Sequence, residues 1–132
     1  MNSKAKGDKA ELEVQKILEK DGFLVQRAWR KMIRLPNGRW VSKTNDFFGC
    51  FDIMAIPATE EEEVIDPVKL IQVTTENELG TKRTKIRETM KNNYTVCYEI
   101  TIWCRIKEKN KVKYRVYEYP NFLKKDSYVV DK

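Results

Sequence analysis

Phe51-Asp52-Ile53-Met54-Ala55-Ile56-Pro57 and Leu70-Ile71-Gln72-Val73-Thr74-Thr75 are the stretches whose reading decides the fold. From Phe47 to Ile56 the chain is mostly apolar and then meets Pro57, which predicts a buried strand. Val68 to Thr75 predicts a second strand. Between them lies an acidic loop, residues 58–67, that contains Glu60-Glu61-Glu62-Glu63. A period of two puts Leu70, Gln72 and Thr74 on one face of the second strand and Ile71, Val73 and Thr75 on the other. Aspartate is depleted in strands, so Asp52 at the head of an apolar run reads as a metal ligand or as a strand-end turn residue. If the two strands pair, Asp52, the Gln72 side-chain oxygen and the Val73 carbonyl can share one cation. Positions would then remain open for water and a phosphate oxygen, with the cation acting as Lewis acid and source of hydroxide.

On the N-terminal side, Ala10, Val14, Ile17 and Leu18 recur at helical spacing, and Gly22 supplies a stop, which predicts a helix over 8–21. Phe23 to Leu35 is β-leaning, and Pro36-Asn37-Gly38 turns it into Arg39-Trp40-Val41, a hairpin rich in Arg and Trp. On the C-terminal side, residues 77–92 predict a second helix with a basic face. Thr95–Ile106 and Val112–Tyr119 predict a closing hairpin around Lys107-Glu108-Lys109-Asn110-Lys111, with an irregular tail after Pro120. The order helix, strands, helix, strands predicts one α/β domain over residues 1–132, a mixed central β-sheet flanked by helices.

The 132 residues are 41% apolar and 35% charged, enough for one modest core. No stretch is long and apolar enough to span a membrane. The polar, lysine-rich start Met1–Lys9 has no apolar h-region, which predicts a soluble, intracellular (cytoplasmic) protein. Cys50, Cys97 and Cys104 have no CxxC spacing and read as buried hydrophobes or free thiols. Histidine is absent, which excludes imidazole chemistry, so any metal cofactor here would be held by oxygen, which points to Mg²⁺ or Mn²⁺.

The net charge of +6 is unevenly spread. Residues 1–45 carry eleven Lys/Arg against five Asp/Glu, residues 46–80 one against nine, and residues 81–132 fourteen against six. Basic flanks around an acidic middle suit an enzyme for a polyanion, with cations on phosphate and carboxylates on a divalent ion. The glutamate run itself reads as a solvated loop.

Lys6-Gly7 followed by Ala10-Glu11, then Lys20-Asp21-Gly22-Phe23-Leu24-Val25, Phe51-Asp52-Ile53, Leu70-Ile71-Gln72-Val73-Thr74 and Tyr114-Arg115-Val116-Tyr117-Glu118 occur in that order. In order and spacing the chain resembles the archaeal Holliday-junction resolvases of the PD-(D/E)xK nuclease superfamily, with the Met32–Asp46 hairpin as the chief insertion. The resemblance implies a restriction-endonuclease-like fold, a Mg²⁺-dependent endonuclease acting on branched or structured DNA, and a two-fold homodimer. It selects Glu11 as the helix carboxylate, orienting water or a second metal. Spacing alone leaves Glu11 and Glu13 on opposite edges of the apolar stripe. Asp46 reads equally as an outer ligand or as turn chemistry.

Gln72-Val73-Thr74 stands where the resemblance implies Glu-x-Lys. An amide oxygen still suits a hard cation, but Thr74 offers no positive charge. Lys82 and Lys85, three apart on the second helix, are the candidate replacements, with Lys43 as another; Lys69 points to the opposite face. Phosphate contacts are expected from Lys6, Arg27, Arg30, Lys31, Arg34, Arg39, Lys43, Lys82, Arg83, Lys85 and Arg87. Two other functions compete: a catalytically inactive DNA-binding module that retains the nuclease fold, and an interaction subunit whose basic face meets an acidic protein.

Overall fold

The computed structural model describes residues 3–44, 46–57, 68–91 and 98–132; the side chains of 3–6, 30, 31 and 42–44 also lie outside the description. A six-stranded sheet carries the fold, in the order β1-β4-β5-β6-β7-β8. Its strands are β1 (Phe23–Arg27), β4 (Ile53–Pro57), β5 (Val68–Thr75), β6 (Tyr98–Glu108), β7 (Lys111–Glu118) and β8 (Tyr128–Asp131). Only β5 and β6 pair in parallel, joined by α2 (Leu79–Met90); every other neighbour is antiparallel. The sheet is therefore mixed. Strands β2 (Arg30–Arg34) and β3 (Trp40–Thr44) form a separate antiparallel pair.

The pleat sorts the core into two layers. Ile53, Ala55, Ile71, Val73, Trp103, Tyr114 and Val116 meet Ala10, Val14 and Leu18 of α1 (Ser3–Lys20) on one face. Leu70, Ile100, Ile102, Cys104 and Tyr117 meet Ile86 and Met90 of α2 on the other. With both faces covered, β5 is buried from Leu70 to Thr74, polar Gln72 and Thr74 included. Helix α1 stops because Gly22 takes φ +92°, a conformation that costs other residues.

Three expectations are corrected. The apolar run from Phe47 is not one strand: Phe48 and Gly49 take positive φ, and Phe47 N–H donates to the Phe51 carbonyl, closing a tight turn before β4 begins at Ile53. The turn is as apolar in composition as a buried strand, although Phe48 at its tip is 62% exposed. The tail after Pro120 is not irregular throughout, since Tyr128–Asp131 adds the edge strand β8. The loop expected at 107–111 shrinks to Lys109-Asn110, both at positive φ, the tight connection that a two-residue hairpin favours. The acidic loop 58–67, Tyr94 and Cys97 lie outside the described residues. Cys50 and Cys104 are buried free thiols.

Candidate metal and phosphodiester site

The backbone of Asp52 is held from both sides before β4 begins. Its N–H donates to the Ile71 carbonyl (2.9 Å), and its own carbonyl accepts from Ala28 N–H (2.7 Å). The side chain is thereby aimed at the C-terminal half of β5. Asp52 Oδ2 accepts from Val73 N–H at 3.0 Å and from Gln72 Nε2 at 2.7 Å. Gln72 Nε2 also donates to the Val73 carbonyl at 2.9 Å. Asp52, Gln72, Val73 and Thr74 are all buried.

Two of the three oxygens expected to share a cation, Asp52 Oδ2 and the Val73 carbonyl, thus converge on one atom, the amide nitrogen of Gln72. A half turn of that amide would present Oε1 at the same place, completing a neutral-plus-anionic oxygen set suited to Mg²⁺ or Mn²⁺. The donor chemistry fits the ion. Among the described residues no three His, Cys, Asp or Glu side chains gather as a metal cage, so a cation held here would draw on amide and carbonyl oxygens.

Electrostatics mark the same spot. Burial, then the nearby charge of Glu11, push the Asp52 carboxyl up to about 7; Asp46 adds to the rise, while Val73 N–H and Lys82 oppose it. A carboxyl held this far above its ordinary range stores an unfavourable charge that a divalent cation would relieve. Gln72→Glu should therefore tighten Mn²⁺ binding on the order of 10–100-fold, because affinity follows ligand charge count. Isothermal titration against the wild type checks this.

Both helix carboxylates are buried but serve different sides. Glu11 accepts from Arg27 Nη2 at 3.0 Å and acts on Asp52. Glu13 faces away: Tyr114 Oη donates to it at 2.7 Å, Arg105 Nε at 3.2 Å, and Lys132 Nζ lies 2.9 Å off. Burial raises the Glu13 pKa, yet these partners outweigh it and hold the carboxyl below its usual range. Glu13 is a structural anchor of α1 on β6 and β7. Asp46 is half-buried and contributes charge at Asp52.

Helix α2 supplies the cations. Thr74 shares by alternation the α2 face of β5, where a lysine at that position would have pointed, and its hydroxyl makes only a long contact to the Thr75 carbonyl (3.4 Å). Lys82, in the first turn of α2, acts on Asp52; Lys85 is exposed and acts on the buried Cys50 thiol instead. Of the two expected replacements for the missing lysine, Lys82 is thus the one whose charge is felt at Asp52. Lys69 is occupied by Glu99 at 2.7 Å.

Three expected phosphate contacts have internal employment. Arg27 is bound to Glu11 and lies 3.6 Å from Asp8. Arg83 stacks over Tyr117 (4.8 Å), and Arg87 bonds the Pro120 and Asn121 carbonyls and lies over Phe122. Arg34 and Arg39 are exposed on the β2–β3 hairpin. The side chains of Lys6, Arg30, Lys31 and Lys43 lie outside the described residues. Sequence reasoning gave no role to Ala28, whose N–H fixes Asp52; a backbone contact leaves no mark on residue type. Among the described residues no helix is long and apolar enough to cross a membrane. Compared with protein-family models and with curated proteins, the chain matches none.

Proposed function

We propose that this protein is a divalent-cation-dependent endonuclease that hydrolyses phosphodiester bonds in branched or structured DNA. The sequence resemblance to archaeal Holliday-junction resolvases, and the restriction-endonuclease-like fold it implies, belong to the same proposal, as does a two-fold homodimer. The observation that carries it is the convergence of Asp52 Oδ2 and the Val73 carbonyl on the Gln72 amide, beside a carboxyl raised to about 7.

Bound Mg²⁺ or Mn²⁺ would supply a Lewis acid and a lowered water pKa. Asp52, the Val73 carbonyl and the rotated Gln72 amide would hold it. Glu11, fixed by Arg27, orients the attacking water, and Lys82 offsets charge that builds on the phosphate oxygens. Water adds to phosphorus in line as the opposite bridging P–O bond breaks.

One observation favours a second reading. With its nitrogen turned inward, Gln72 satisfies Asp52 and the Val73 carbonyl without any ion. That is the arrangement expected of a DNA-binding module that has lost catalysis. Labelled four-way junction, flap, duplex and single-stranded DNA, each incubated with Mg²⁺ or Mn²⁺, separate the two. The nuclease reading expects cutting that vanishes in Asp52→Ala; salt-sensitive binding without cutting in either metal would replace it with the second.

A further inference from the structure

The β2–β3 hairpin is the part of the molecule that the proposed chemistry leaves unused, yet it springs from the mouth of the Asp52 site. Ala28, two residues before β2, donates to the Asp52 carbonyl at 2.7 Å. The returning chain closes within the Phe47–Phe51 bridge, immediately before Asp52. From residue 22 to residue 45 the chain has six Lys/Arg and no Asp or Glu. Interleaved with these cations are three large apolar side chains left in solvent: Trp29 is 52% exposed, Met32 54% and Trp40 59%.

Neither the core nor the turn explains that exposure. The turn is fixed by its own bonds: Leu35 N–H to the Arg39 carbonyl, Gly38 N–H to the Leu35 carbonyl, and Arg39 N–H to Asn37 Oδ1, with Gly38 at φ +83°. Trp40 sits opposite Arg34 in the register, with the guanidinium carbon 6.0 Å from its ring, and Met32 lies two residues along the same face. Ile33 and Val41, paired opposite each other, are the half-buried face. The hairpin thus presents an indole and a thioether beside Arg34 and Arg39 on a hydrogen-bonded two-stranded platform.

We propose that this face binds unpaired nucleotides, with a base stacked on Trp40 and the adjoining phosphates on Arg34 and Arg39. The inference rests on the reading of the chain as a DNA-acting protein and deepens it: the hairpin grips a single-stranded stretch next to the bond presented to Asp52. Charge complementarity selects the occupant. A segment whose charges are all positive repels a basic partner and favours an anionic one, and flat π faces among cations suit bases strung on phosphates better than they suit carboxylate side chains. A paired duplex keeps its base faces stacked and unavailable, so it can use only the cations.

Fluorescence anisotropy with a labelled oligothymidylate of about 15 nucleotides, in chelator so that no cleavage intervenes, tests the proposal. Trp40→Ala should weaken oligothymidylate binding by about 5–100-fold and duplex binding far less, while Trp40→Phe keeps most of the single-strand affinity. Arg39→Ala should weaken both nucleic acids alike and flatten the salt dependence. Because Trp40 is exposed, an unchanged melting temperature certifies each variant as folded. The proposal is overturned if the wild type does not bind oligothymidylate, or if Trp40→Ala binds it as tightly as the wild type. It is also overturned if polyglutamate binds with the same Trp40 dependence (an acidic protein as occupant), or if Trp40→Ala dissolves a dimer (a second copy as occupant). Failure of DNA cleavage in metal would leave this outcome untouched, so the two readings fail separately.

Discussion

Asp52→Asn is expected to melt roughly 5 °C or more above the wild type when both are metal-free and above pH 7. The wild-type carboxyl has a folded-state pKa of about 7 against an ordinary value of 3.8. Between those values the folded protein holds a proton that the unfolded chain releases. The contribution to stability is therefore fully present below about 3.8 and is lost as pH rises through about 7. With Asp52 buried, the cost once it is ionised is on the order of 2–4 kcal/mol. Asparagine keeps an acceptor for Val73 N–H and Gln72 Nε2 but carries no charge beside Glu11 and Asp46. Melting curves at several pH values should show the gap between variant and wild type closing toward acid. The same substitution should abolish cleavage, since it removes the one carboxylate that, among the described residues, bonds at the convergence point and leaves the cation no negative ligand there. A stabilising change that removes activity is the signature of a site held in strain for function. A structural aspartate would destabilise when replaced.

The second large effect concerns the charge missing at Thr74. Lys82→Ala should slow single-turnover cleavage on the order of 10²–10³-fold, with DNA affinity changed only a few-fold. Lys82 is the α2 cation that acts on Asp52, and the Thr74 position shares the face that α2 covers. Lys85→Ala, whose ammonium acts on Cys50, should cost at most a few-fold. Lys82→Arg should recover part of the rate, because it restores charge with altered geometry. Equal losses in Lys82→Ala and Lys85→Ala would reduce both to general phosphate attraction.

Local pattern carried the elements whose causes are local. Gly22 ends α1, Pro36-Asn37-Gly38 turns β2 into β3, and the alternation of β5 puts Ile71 and Val73 against α1 with Leu70 against α2. What sequence could not show depends on partners far along the chain. Glu11 and Glu13 occupy equivalent edges of one helix stripe; their distant partners tell them apart, Arg27 on β1 for Glu11 and Arg105, Tyr114 and Lys132 for Glu13. Arg27 and Arg87 look like free cations until a carboxylate 16 residues away and carbonyls 33 and 34 residues away claim them. The Phe47–Phe51 turn was hidden because its side chains are as apolar as a strand's, and β8 because a four-residue, mostly exposed edge carries too little pattern. At the site, alternation aligned Gln72 with Thr74, and the reach of Asp52 to Val73 required the turn that precedes it.

The most direct test is a Mn²⁺ titration of the metal-free protein, followed by the loss of the free-ion paramagnetic resonance signal, in wild type and Asp52→Asn. The predicted result is saturable binding by the wild type that disappears in the folded variant. Absence of saturable binding in the wild type, or equal binding in both, would contradict a cation site built on Asp52, Gln72 and the Val73 carbonyl.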